Sequence, residues 1–227
     1  MPNHDLSHDR EGVTFFGTLS AAVTHDMKNF LAIINENAGL LSDLAVKARN
    51  GEGDMDPRKA SLISEKIIKQ VNRADEMIKQ FNRFSHSMDH VLETVDMEEM
   101  VQLVAGLAER IIRHHEVTIT VTSAPVPCRI QAHRFDLLHL IFRAFEMTCE
   151  TLNKTPEDTP KQVMVIFGSD PLVPEICFLP DTGSASAWDV LFDEPKDRAL
   201  LDRVNMRVNK PVTGSGFCLC KPCETQQ

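Results

Sequence analysis

Between Phe16 and Phe81 the chain carries two long stripes of apolar residues spaced by threes and fours, separated by a cluster of glycines and turn formers. The first stripe runs Leu19, Val23, Met27, Phe30, Ile34, Ala38, Leu41, Ala45, the spacing that keeps one face of an α-helix apolar over many turns. Lys47 and Arg49 follow where a helix C-terminus favours cations, and Asn50-Gly51-Glu52-Gly53-Asp54 then reverses the chain. Asp56 ahead of Pro57 predicts an N-cap with proline at the first helical position, and Ile63, Ile67, Val71, Ala74, Ile78 and Phe81 continue the period in a second helix. Two helices joined this way form an antiparallel hairpin, whose interior is too small to bury stripes of this length. The spacing therefore predicts a homodimer in which residues 14–92 of two copies make a four-helix bundle.

The remaining length leaves room for one further domain, residues 93–227, with residues 1–13 expected to be a flexible, polar N-terminus. The pattern changes after Val95: Met97 to His114 reads as a helix, Val117 to Thr122 alternates as a strand, and Arg129 to Ala132 suits a short strand pairing with it as a hairpin. Phe135 to Leu152 reads as a helix, Val163–Phe167 and Glu175–Leu179 as strands, and Asp193 to Asn209 as a charged helix with Leu200, Leu201 and Val204 inward. The fold class is α+β.

Charge and composition exclude several partners. Acidic residues outnumber lysine and arginine 33 to 24, and no basic run offers a footprint for a phosphate backbone, so nucleic acid is not an expected partner. No apolar run reaches the roughly 18 to 20 residues that cross a bilayer, and a cytoplasmic protein is expected. Cys128, Cys149 and Cys177 stand singly in apolar segments, as free core cysteines do, so no disulfide scaffold is predicted. Cys218-x-Cys220-x-x-Cys223 has thiol spacing suited to zinc but no evident fourth ligand; it reads as a frayed tail and no metal is predicted.

His25 is the residue whose placement asks for chemistry. At about 100° per residue it lies roughly 200° from both Val23 and Met27, pointing away from the seam. Its neighbours on that face are the small Ala21 and Ala32, with Thr18 and Asn29, so a partner protein can approach the ring closely. Asp26 adjoins it, where a carboxylate can fix the tautomer and raise the nucleophilicity of the other ring nitrogen. An exposed helical histidine is more often an ordinary surface residue, and the surrounding sequence is what changes that reading.

The run Leu19-Ser-Ala-Ala-Val-Thr-His25-Asp26-Met-Lys-Asn29-Phe30-Leu-Ala-Ile33 resembles the phosphoacceptor motif of bacterial sensor histidine kinases, with Phe30 where most members carry proline. The resemblance implies His25 as phosphoacceptor, Asp26 as acidic helper and Asn29 as a residue assisting dephosphorylation of a partner. Thr18, Ala21, Lys28 and Ala32 are then the expected partner-docking residues. The second domain resembles the family's ATP-binding α/β sandwich in degenerate form. The two asparagines that hold magnesium and phosphates in the family fall on Arg143 and Met147, which supply no oxygen ligand. Pro180-Asp181-Thr-Gly183-Ser-Ala185 resembles the adenine-binding box without its second glycine, and Gly214-Ser-Gly216-Phe-Cys218 resembles the second glycine box without its last. The resemblance is closest to the dimeric histidine phosphotransferases of phosphorelays. It implies no cofactor, a response-regulator receiver domain as partner, and phosphoryl exchange between its aspartate and His25. A divergent kinase still using ATP and a non-catalytic dimeric scaffold are the alternatives.

Overall fold

The computed structural model describes the backbone of residues 4–51, 56–89, 92–154, 161–170, 172–182, 188, 191–212 and 214–222, with side chains from residue 10 onward. The chain divides into two compact units, Thr18–Arg83 and a second formed by Met1–Gly17 with Phe84–Gln227.

The first unit is the helical hairpin. Helix α1 spans His4–Arg49 and α2 spans Pro57–Ser85. Asp56 caps α2 as its position before proline predicts: its Oδ1 accepts the backbone N–H of Arg58 at 2.9 Å. At the other end of the turn Gly51 takes φ +72°, a left-handed conformation that costs a residue without Cβ little. Glu52, Gly53 and Asp54 of the expected reversal lie outside the described residues. Arg73 of α2 lays its guanidinium over the Phe30 ring, 5.8 Å from the centroid, tying the two helices together.

The apolar surface of the hairpin is only partly covered. Leu19, Val23 and Ile63 are buried, and Met27, Phe30, Ile34, Ile67 and Ala74 are half-buried. Val71 and Ile78, which the spacing assigns to this stripe, are exposed instead, and Gln70 takes the buried place. Steps of four and three tolerate either side of a turn, so the period alone does not choose between them. Leu31, Ile33, Leu40, Val46, Leu62 and Ile68 are exposed as well.

The second unit is α+β. Strand β1 (Glu93–Asp96) leads into α3 (Met97–Leu107) and α4 (Glu109–His114), then β2 (Val117–Val121), β3 (Arg129–Ala132) and α5 (Arg134–Leu152). Strands β4 (Lys161–Phe167) and β5 (Glu175–Pro180), helix α6 (Pro195–Val204), β6 (Arg207–Asn209) and β7 (Phe217–Cys220) complete it. Among the described residues one sheet runs β2-β4-β5-β7-β6, with β2 and β4 parallel and the other pairs antiparallel. The expected hairpin of β2 with β3 does not form. β3 pairs instead with β1, and Asp96 at the end of β1 caps α3 through Glu98 N–H at 3.0 Å. The single helix expected over Met97–His114 breaks at Ala108. The charged helix expected to reach Asn209 stops at Val204, where Asn205 turns left-handed at φ 52°, and β6 follows.

One face of the sheet packs on the helices. Phe178 of β5 and Phe217 of β7 stack at 4.9 Å, and Phe145 of α5 meets Phe178 edge-on at 5.5 Å. β4 alternates Val163, Val165 and Phe167 inward with Gln162 and Met164 outward, the period-2 signature of a strand covered on one side. No described helix is long and apolar enough to cross a membrane.

The start of α1 belongs to this unit, and the backbone is helical from His4, within the stretch expected to be a flexible N-terminus. The Phe15 ring stacks on the His139 imidazole at 4.6 Å and meets Phe84, Phe135 and Phe142 at 5.4, 5.4 and 5.2 Å. His139 pays for that seat in basicity. Burial, reinforced by Arg203 and Arg143, lowers its pKa to about 4. Because the folded value lies below the unfolded ~6.5, the unfolded chain binds the extra proton first as the solution is acidified. Stability is expected to fall by about 3 kcal/mol between pH 6.5 and pH 4 and to stop depending on this group below that. Urea midpoints across that range, compared with His139→Gln, test it: a variant with the same slope as the parent would assign the acid sensitivity elsewhere.

Candidate functional site

On α1 the His25 side chain is 47% exposed. Ala21, Lys28, Asn29 and Ala32 are exposed beside it and Thr18 is half-buried, so the residues expected to meet a partner lie on one accessible stretch of helix. Both polar contacts of the ring are at Nδ1. The Asn29 side-chain Nδ2 lies 3.2 Å from Nδ1, one helical turn on, and Asp26 Oδ1 lies 3.6 Å from the same nitrogen. Asn29 therefore makes the hydrogen bond that the sequence assigns to Asp26, and the carboxylate stands just beyond bonding range. The amide can turn either its NH2 or its oxygen to Nδ1. With Nδ2 inward, as placed here, Nδ1 accepts and Nε2 carries the proton; with the amide turned so that its oxygen faces Nδ1, Nδ1 carries the proton and the Nε2 lone pair is available to an electrophile.

The described positions aligned with nucleotide motifs are each engaged locally. Arg143 of α5 donates from Nε to Asp197 Oδ1 at 2.9 Å, while its Nη1 lies 3.4 Å from Glu146 and 4.0 Å from Glu150. Burial opposes the Arg143 charge, but the hydrogen bond and attraction of Asp197, then of Glu146 and Glu150, outweigh it and raise its pKa. The guanidinium is thus committed to carboxylates. Met147 is buried in the core. Asp181 is exposed, its N–H spent on Gln162 O at 3.0 Å, and Gly183 lies outside the described residues.

The second glycine pair has a local explanation. Gly216 sits at φ 117°, and a Cβ there would lie 2.0 Å from Phe178 O, so only glycine lets the start of β7 approach β5. Gly214 is left-handed at φ 86° with open space around it. A strand, not the helix expected at a phosphate cradle, follows them. A cavity of about 450 Å³ does open nearby, between Trp188, Phe192, Arg198, Asp202, Lys210 and Gly216, but neither Met147 nor Asp181 lines it. Asp197 escaped the sequence reading because it meets Arg143 across 54 residues, with no local pattern to announce the pair.

No protein-family profile matches the chain, and no curated protein matches it. Solved structures of histidine kinases do overlap it. The catalytic domain of histidine kinase ThkA is 11% identical, covering 59% of this chain and 98% of that one, with a TM-score of 0.45. Histidine kinase AdeS of Acinetobacter baumannii is 10% identical, covering 83% of this chain and 96% of that one, with a TM-score of 0.39. ThkA in complex with response regulator protein TrrA is 14% identical, covering 96% of this chain and 65% of that one, with a TM-score of 0.46.

Proposed function

We propose that this chain is a phosphotransfer protein in which His25 exchanges a phosphoryl group with the aspartate of a response-regulator receiver domain. The observation that supports it most directly is the His25 ring: exposed on a long helix, flanked by alanines, and contacted by an amide and a carboxylate at Nδ1 alone. In the forward step the Nε2 lone pair attacks the phosphorus of an aspartyl phosphate. The P–O bond to the receiver breaks, its carboxylate leaves, and Asp26 stabilises the positive imidazole as Nδ1 keeps or releases its proton. The receiver supplies its own magnesium. Arg143 and Met147 offer this chain no oxygen ligand for a metal-bound nucleotide, which favours transfer over a kinase that uses ATP itself.

The same reading makes the chain a homodimer, because the exposed Leu40, Ile68, Val71 and Ile78 on the hairpin are what a second copy covers in a four-helix bundle. Receiver domains charged with radiolabelled acetyl phosphate provide the test. Uptake of an acid-labile, alkali-stable label by this chain is the expected result; no uptake from any of a broad receiver panel overturns it. Calorimetry with ATP and magnesium is expected to give no binding, and tight binding would restore the kinase. Sedimentation is expected to show a dimer that Ile68→Glu with Val71→Glu converts to monomer; a parent that sediments as monomer would sink the bundle.

A further inference from the structure

The face of the sheet turned away from α5 carries a cluster that phosphotransfer does not use. Strands β5 and β7 pair so that Glu175 lies opposite Cys220 and Cys177 opposite Cys218. Residues two apart on a strand share a face, and directly opposed residues on antiparallel strands share it too, so all four side chains stand on one side. Phe178 and Phe217, between them in sequence, stack on the other. A carboxylate oxygen of Glu175 and the sulfurs of Cys177 and Cys218 lie within 4.8 Å of one another, and the two sulfurs are bonded as a disulfide. This corrects the sequence expectation of Cys177 as an isolated core thiol; the register that pairs it with Cys218 spans 41 residues. Cys220 is a buried cysteine outside any disulfide at the next same-face position of β7; its thiol lies 3.8 Å from the Arg207 carbonyl of β6, and Asn209 of β6 donates its side-chain N–H to that sulfur at 3.0 Å.

We propose that, with the disulfide reduced, Cys177, Cys218, Cys220 and Glu175 bind one zinc-class divalent ion across the β5–β7 ladder. Three sulfur donors and one oxygen are a four-coordinate set of the kind zinc accepts, and thiolate-rich sites select it over the oxygen-seeking magnesium and calcium. β7 supplies two of the four ligands, Cys218 and Cys220, and the neighbouring strand β5 supplies the other two, Glu175 and Cys177. Asn209 supplies the outer-shell N–H···S bond that stabilises a ligating thiolate. Reduction and binding balance as two steps. Two molecules of a thiol reductant open the Cys177–Cys218 bond to two thiols and leave joined as their own disulfide. The three cysteine thiols then release their protons to solvent as they ligate the ion. Oxidation by a disulfide of the glutathione class reverses the first step and expels the metal. The cluster thus assigns the unit a redox-dependent metal site, independent of the reading of His25.

Cobalt(II) is the probe. The full chain, reduced with a phosphine that is then removed, is expected to take up one cobalt per chain, with thiolate charge-transfer absorption and the intense visible bands of a tetrahedral ion, both abolished by zinc. The oxidised chain is expected to show neither, a comparison that needs no variant. Cys177→Ser, Cys218→Ser and Cys220→Ser should each weaken binding at least 100-fold, and Glu175→Gln about 10-fold. Cys128→Ser and Cys223→Ser should bind as the parent does. Cys128 is the sharper control because its thiol lies 3.9 Å from the Glu175 backbone carbonyl. Absence of the bands in the reduced parent overturns the proposal, as does their persistence in Cys177→Ser or their loss in Cys128→Ser or Cys223→Ser.

Discussion

A His25→Ala chain will take no label from a phosphorylated receiver, while its fold stays intact. The side chain is exposed, so truncating it removes a nucleophile and little packing. The flanking residues should grade the loss rather than complete it. Asp26, 3.6 Å from Nδ1, and Asn29, 3.2 Å from it, orient the ring and set which nitrogen holds the proton. Groups that orient a functional imidazole in this way are worth roughly 10- to 100-fold when removed. Asp26→Asn and Asn29→Ala are therefore expected to slow uptake by about that factor, with the end point preserved. Initial rates separate the cases. Label persisting on His25→Ala would move the acceptor to another residue, and an unchanged rate in both flanking variants would leave the ring without its helpers.

Phe84→Ala should destabilise the second unit by about 3 to 5 kcal/mol, the usual range for deleting a fully buried aromatic ring. Phe84 is 0% exposed and meets Phe15 and Phe16 at 5.4 and 5.3 Å, with Phe135 at 6.2 Å, so no solvent-facing side allows the cavity to collapse. Phe84→Leu keeps most of the volume and should cost less than half as much. Trp188 is the chain's one tryptophan and is buried in this unit, so its fluorescence follows urea unfolding there directly. A cost below about 1 kcal/mol for the alanine variant would mean that the aromatic cluster does not close over α1's first turns.

Both variants bear on what is legible in the sequence. The two helices, the proline-started α2, the outward face of His25 and the strands at β4 and β5 follow from periods of 3.6 and 2, which depend on residues a few places apart. The glycine boxes show the limit of motif reading. Gly216 falls on a glycine of a partly matching phosphate-binding pattern, yet the geometry of β7 against Phe178 O already demands glycine there. Arg143 reads as a missing metal ligand in sequence and as a buried ion-pair partner of Asp197 in space.

By itself the sequence determined the two long helices, α5 and strands β2, β4 and β5, and which side of α1 carries a histidine beside an acid and an amide, because local spacing sets side-chain direction. Only the tertiary structure decided that β3 joins β1 rather than β2, that Phe15 seats the start of α1 against His139, and that Cys177 meets Cys218 with Glu175 alongside. Those pairings are settled by strand order and by burial shared among distant segments, and no window of neighbouring residues contains them.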